Sequence, residues 1–418
     1  MTKPIFLLVG VAAVTAIGTG ALPLLAQGGN SPTARYEMRA ETTSGMGAMG
    51  QGGGMGSALS MAFGGGGRSS AQHSLQLDLG TTIAPADGKP KADHFMPAGA
   101  KLGKSVPLKT PVNQPMIDGD GEFQRPKGRM LIYWGCGEHA PKGQPVVIDF
   151  ARLAAGQVPP GLWSNNVPNE RWVSPANSRT YGTWPNADGR TTLKSDSSLI
   201  GAHRVAGNYS PEIAFTLTRD FMAPLAATNA VQASGSVLLN WNAVPEATGY
   251  HAWIIGGKAD RGGDMIDIVW WSSSAGREFG GGLSDWLSPP TVARLVANRT
   301  VMSPQTTTCT VPAEVRRDAP DYMYAMLNAF GPEESFAFPP RPANPKTPWN
   351  PVWTSRIMHK SMTSFLIGMP GMDGAAGDAA PQCKPKKKKR GLGGLGGALG
   401  GAIGGVLGGG SSSEEECE

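Results

Sequence analysis

Two-residue alternation of apolar and polar side chains is the pattern that most limits what this chain can fold into. Val237-Leu238-Leu239-Asn240-Trp241 and Tyr250-His251-Ala252-Trp253-Ile254-Ile255 follow it, and His73-Ser74-Leu75-Gln76-Leu77-Asp78-Leu79 follows it strictly, placing its leucines on one face of a strand. Arg129 to Trp134 and Pro145 to Phe150 are apolar on both faces and suit central strands, with a hairpin-length connection from Gly135 to Gly143. Ser198 to Val205 and Glu212 to Thr218 make a second pair around Gly207-Asn208, and Ile266 to Trp271 suits one more strand. Helical periodicity is weak. Phe150 to Leu153 suits a short turn of helix, and Ser288 followed by Pro289 and Pro290 marks the start of another, running to Val296. The chain reads as mainly β.

With 59 glycines and 35 prolines in 418 residues, much of the sequence is too poor in apolar side chains to build a core, so fewer than three compact domains are expected. Lys3, the apolar run from Ile5 to Val14, Pro23 and Ala26 read as a secretory signal peptide over residues 1–26, with an uncleaved anchor as the competing reading. Residues 27–71 read as a disordered linker rich in glycine and methionine, 72–219 as a β-rich module, and 220–338 as a second one. Residues 339–383 read as an irregular Pro/Met-rich segment with a brief helix at Arg356 to Ile367, and 384–418 as a basic run followed by a glycine-rich tail. The expected architecture is two tandem β-sandwich-like modules between long disordered termini.

The second module carries a resemblance. Trp241, the turn before Gly249-Tyr250, and Tyr322 to Gly331 followed by Glu334-Ser335 are similar to strands of a fibronectin type III domain, over residues 236–338. The likeness implies that Trp241 and Tyr250 pack between two sheets and that Tyr250, Ala252 and Ile254 face the core, which leaves His251 and Trp253 on the other side. It also implies an insertion, a strand and a short helix, before Thr306 to Val311. Such domains bind or space. In the tail, Gly396-Gly397-Ala398-Leu399 and the two units after it resemble the glycine-zipper segments of bacterial envelope proteins.

The formal net charge is +5, but Lys384, Lys386 to Lys389 and Arg390 supply six positive charges, so the rest of the chain has no basic excess. That argues against nucleic acid as a partner. The four cysteines, Cys136, Cys309, Cys383 and Cys417, suit an oxidising compartment, with 136–309 and 383–417 as the natural pairs and isolated buried thiols as the alternative. Cys136-Gly137-Glu138-His139 puts a thiol near an imidazole, yet no partner ligands stand at zinc spacing. Met46 with Met49 and Met369 with Met372 pair thioethers suited to Cu(I). His251, Trp253, Trp270 and Trp271 are the binding candidates, because tryptophan faces stack on sugars, unless the insertion covers them. No nucleotide fingerprint or Gly-x-Ser-x-Gly is found, and no cofactor is expected.

These readings converge on a non-enzymatic exported protein of the periplasm, outer membrane or cell surface, acting as a binding or scaffolding module. Its expected partner is an envelope component, a glycan or a membrane surface, with self-association through the tail. The alternatives are a carbohydrate-binding protein, a periplasmic copper-handling protein, or a hydrolase built on Cys136 or His139.

Overall fold

The alternating segments become strands of three sheets in the computed structural model, which describes residues 31–50, 71–111, 128–157, 167, 170–186, 193–260, 265–344 and 346–368. The chain opens with β1 (Ala34–Gly45) and β2 (Gln72–Thr81), which pair antiparallel. The short strands β3 (Ala92–Phe95) and β4 (Ser105–Pro107) follow, then the hairpin β5 (Arg129–Trp134) and β6 (Val146–Asp149), then β7 (Thr180–Trp184). A second hairpin joins β8 (Gly201–Gly207) to β9 (Ser210–Leu217). The later strands are β10 (Ala227–Val231), β11 (Val237–Trp241), β12 (Gly249–Ala259), β13 (Met265–Ser272) and β14 (Thr308–Val311). The two longest close the fold, β15 (Tyr322–Phe338) and β16 (Trp353–Leu366).

Nine strands form one sheet in the order β6-β5-β13-β12-β15-β16-β1-β2-β7. Two smaller sheets lie on the same face of it. The sheet β10-β11-β14 packs on the half made by β5, β13, β12 and β15, through Val237, Leu239 and Trp241 against Tyr250, Ile254, Trp271 and Leu327. The sheet β4-β3-β8-β9 packs on the half made by β16, β1, β2 and β7, through Val205, Ile213 and Phe215 against Tyr36, Met38, Leu77 and Ile357. The molecule is mainly β, and its two sandwich-like halves share a sheet, with the β5–β6 hairpin lying beside β13 of the later segment. Trp241 and Tyr250 meet in the core with ring centroids 5.7 Å apart, as their strand phase requires.

Short helices fill the connections: α1 (Met46–Gly50), α2 (Phe150–Ala154), α3 (Pro289–Ala297) and α4 (Ala313–Asp318). Asp149 caps α2 by accepting from the backbone amides of Ala151 and Arg152, and α3 turns Val292 and Leu295 onto Phe330. The Cys136–Cys309 disulfide joins the end of β5 to β14, and so ties the two layers of the C-terminal half.

Two segments depart from expectation. Residues 34–45, within the expected linker, form β1, an interior strand and the seventh of nine in the long sheet, because Tyr36, Met38 and Ala40 alternate with Arg35, Glu37, Arg39 and Glu41. The stretch expected as a brief helix, Arg356 to Ile367, lies largely in β16, parallel to β1 and antiparallel to β15. Ile357 and Phe365 enter the cores while Arg356 and Lys360 find carboxylates on the opposite face, so pairing on both edges overrides a weak local preference.

Candidate functional site

The face of the long sheet that carries neither small sheet holds most of the polar chemistry. Alternation along β12 turns His251 and Trp253 to this outer face, and alternation along β13 adds Trp270 and Ser272. Trp253 and Trp270 stack on one another, centroids 5.1 Å apart and planes 9° from parallel, with Tyr324 edge-on to the first and Phe279 edge-on to the second. Both indoles are half-buried, and neither Nε1 has a hydrogen-bond partner. Trp271 is the exception among the four candidates. It is in phase with Val269, lies in the core, and its Nε1 donates to the Gly135 carbonyl at 2.9 Å.

His251 is buried and begins a chain of hydrogen bonds whose direction can be read from its end. The Thr300 carbonyl only accepts, so the Ser274 hydroxyl donates to it (2.6 Å), the Ser272 hydroxyl donates to Ser274 (3.0 Å), and Ser272 accepts from His251 Nε2 (3.1 Å). The Ser272 proton is therefore committed away from the imidazole. A serine activated by histidine needs the reverse polarity, so this pair does not generate a nucleophile. His251 Nδ1 keeps a lone pair, Asn328 stands opposite it on β15, and burial pushes the imidazole down to about 3.

The other candidates do not gather. Cys136 is consumed by its disulfide with Cys309, which removes it as a thiolate ligand or nucleophile. His139 is mostly exposed, with Nδ1 3.3 Å from a Glu314 carboxylate oxygen. Met46 lies on α1, whereas the Met49 side chain, Met369, Met372, Cys383 and Cys417 lie outside the described residues. Among the described residues no three His, Cys, Asp or Glu side chains converge on a common point.

The sequence reading missed two constellations. On the outer face, Asp78 is fully buried, paired with Arg39, and accepts from Tyr181 (2.6 Å) and Thr183 (2.8 Å). Trp172 has the Arg39 and Arg356 guanidinium groups 5.0 and 4.5 Å from its ring, while Arg356 also reaches Glu170 and Glu333 at 3.2 Å. Lys360 pairs with Glu41 and sits 4.7 Å from the Trp286 ring. Glu37, buried beside them, accepts from the Val173 amide at 2.8 Å, and burial holds its carboxyl above the usual range. The signal for this network was the charged phase of β1.

The second constellation lies inside the N-terminal half, where Tyr36 Oη is 2.5 Å from His94 Nδ1 and His94 Nε2 is 2.9 Å from His203 Nδ1. A shallow cleft of about 490 Å³ opens at the same small sheet, lined by Phe95, Met96, Ala202, His203, Arg204, Ala214, Phe215 and Thr216. There the Arg204 guanidinium covers the Phe95 ring at 3.9 Å and pairs with Glu212.

No protein-family model matches the chain, and no curated protein matches it in sequence.

Proposed function

We propose that the protein is an exported, non-enzymatic binding or scaffolding module of the cell envelope, with a fibronectin type III-like sandwich in its C-terminal half. The observation that carries this reading is strand order. The layer β10-β11-β14 faces β5, β13, β12 and β15 and the Phe365 end of β16, and the order β13-β12-β15-β16 within that sheet is the one expected for such a sandwich with its inserted strand and α3. The disulfide between the layers suits an oxidising compartment, in line with the apolar N-terminal run. The disulfide takes Cys136 out of use as the nucleophile of the hydrolase alternative.

The carbohydrate-binding alternative gains little from the rings. Sugar platforms present coplanar, open faces, whereas Trp253 and Trp270 are stacked face to face. The scaffold reading also involves the basic run and the glycine repeat, residues 384–418, which lie outside the described residues. Fractionation tests it: the full chain is expected with envelope membranes or in a defined oligomer, and deletion of Gly391 to Glu418 is expected to release it with both sandwiches intact. Identical fractionation and oligomeric state of the two proteins would remove the tail from the account.

A further inference from the structure

The Tyr36–His94–His203 chain spans the two layers of the N-terminal half, with Tyr36 on the long sheet and both imidazoles on the small one. Its polarity is fixed at the far end, where the Leu199 carbonyl accepts from His203 Nε2 at 2.7 Å. His203 Nδ1 must then accept from His94 Nε2–H, and His94 Nδ1 must accept from the Tyr36 hydroxyl. Every donor meets an acceptor only if both imidazoles are neutral. The chain ends on a backbone carbonyl, which cannot pass a proton on, so it fastens the sheets together and does not conduct.

An added proton has no place in this arrangement. On His94 Nδ1 it faces the Tyr36 O–H, and on His203 Nδ1 it faces the His94 N–H. Relieving either conflict turns the tyrosine hydroxyl around and leaves its hydrogen without an acceptor in an apolar core lined by Met38, Leu77 and Phe215. Two carboxylates lie near the chain, and one Glu334 oxygen, 3.8 Å from His359 Nε2, has no hydrogen-bond partner among the described residues. Asp78, on the outer face behind Tyr36, is held by Arg39, Tyr181 and Thr183, and Glu334, on the His203 side, is bonded to Thr218. Two more imidazoles lie on the inner face of the long sheet, His73 stacked on Phe221 and His359 within 3.8 Å of Glu334, with Asp220 near both and Arg219 near the second. Burial holds all four below the ordinary imidazole range.

We propose that this chain is an acid-sensitive latch: protonation releases the sheet β4-β3-β8-β9 from the long sheet, while the Cys136–Cys309 disulfide keeps the C-terminal half closed. An imidazole held neutral in the fold lowers the closed population as the pH falls below the unfolded-state value of 6.5, by at most about tenfold per pH unit, and His94, held well below that value, contributes most. The C-terminal half has His251, on the outer face of the long sheet and the one imidazole in that half whose titration is shifted by burial, and the exposed His139 beside Glu314; neither lies between β10-β11-β14 and the long sheet.

Hydrogen exchange on the full chain at pH 7.5 and 5.0, corrected for intrinsic rates, tests the latch. Protection of β3, β8 and β9 amides is expected to fall by at least about tenfold more than that of β11 and β14. Equal losses in both sheets, or none in either, would overturn the proposal. His203→Gln preserves a donor for Leu199 and an acceptor for His94 without titrating, and is expected to reduce the acid-dependent loss; an unchanged loss counts against the latch. Should that variant not fold, nitrogen-15 shifts of the unmodified protein at pH 7 still decide, since Nε2–H is expected on both His94 and His203. Nδ1–H or an imidazolium at either position would refute the polarity.

Discussion

Trp241 and Trp271 sit in the same core, in facing sheets, and differ in one atom's surroundings. The Trp271 Nε1 donates to the Gly135 carbonyl at 2.9 Å, whereas the Trp241 Nε1 is buried without a partner. Replacing each by phenylalanine removes the same atoms, so the loss of packing is similar for both, below the roughly 3–5 kcal/mol of a full truncation to alanine. The hydrogen-bond contributions have opposite signs. Trp271→Phe strands the Gly135 carbonyl, which adds about 1–3 kcal/mol, while Trp241→Phe deletes an unsatisfied donor and recovers part of its packing loss. Urea unfolding at neutral pH, with the midpoint shift read at constant m, is expected to place Trp271→Phe below Trp241→Phe by at least about 1 kcal/mol. Equal costs, or a larger cost for Trp241→Phe, would mean that β11 or β13 is out of register and that the two indoles are wrongly assigned.

Removing the disulfide by Cys136→Ser with Cys309→Ser is expected to cost about 2–5 kcal/mol, since it frees a loop closed across a sequence separation of 173, and calorimetry with and without reductant measures it. Arg39→Leu leaves the Asp78 carboxylate buried without its cation and should destabilise by about 3–5 kcal/mol, much of it recovered when Asp78→Asn is added, which removes the charge and keeps an oxygen for Tyr181 and Thr183; a double variant as weak as the single one would contradict the pairing. His251 is neutral in the fold, so its contribution is complete above pH 6.5 and declines as the pH falls toward about 3. By pH 5 the loss is about 2 kcal/mol, and His251→Gln should flatten that part of the stability-against-pH curve.

β11 and β12 were legible because each runs in two-residue phase, whereas β10 carried no such signal and Trp271, in step with Val269, was grouped with Trp270 although it lies in the core. The hairpins β5–β6 and β8–β9 were legible from short apolar or alternating runs flanking a turn-length connection. β1 was not: it fell within the expected linker, and its charged phase finds partners only when Asp78, Trp172, Asn177 and Lys360 arrive from distant segments. β16 was missed because its stability lies in two neighbours, one parallel, that no local pattern announces. The His94–His203 contact joins residues 109 positions apart, each isolated in its own strand, so nothing near either one marks it. His251 and Trp253 were placed on the correct face, but how far that face is covered depends on the insertion and could not be read from the strand.

The central claim, an envelope module that binds and does not turn its ligand over, is tested most directly by incubating the full chain with isolated envelope material and a glycan panel while retention and product formation are followed together. Saturable retention is expected, with no cleavage products and with the same outcome for Ser272→Ala. Products that accumulate with the unmodified protein and disappear with Ser272→Ala would contradict the account.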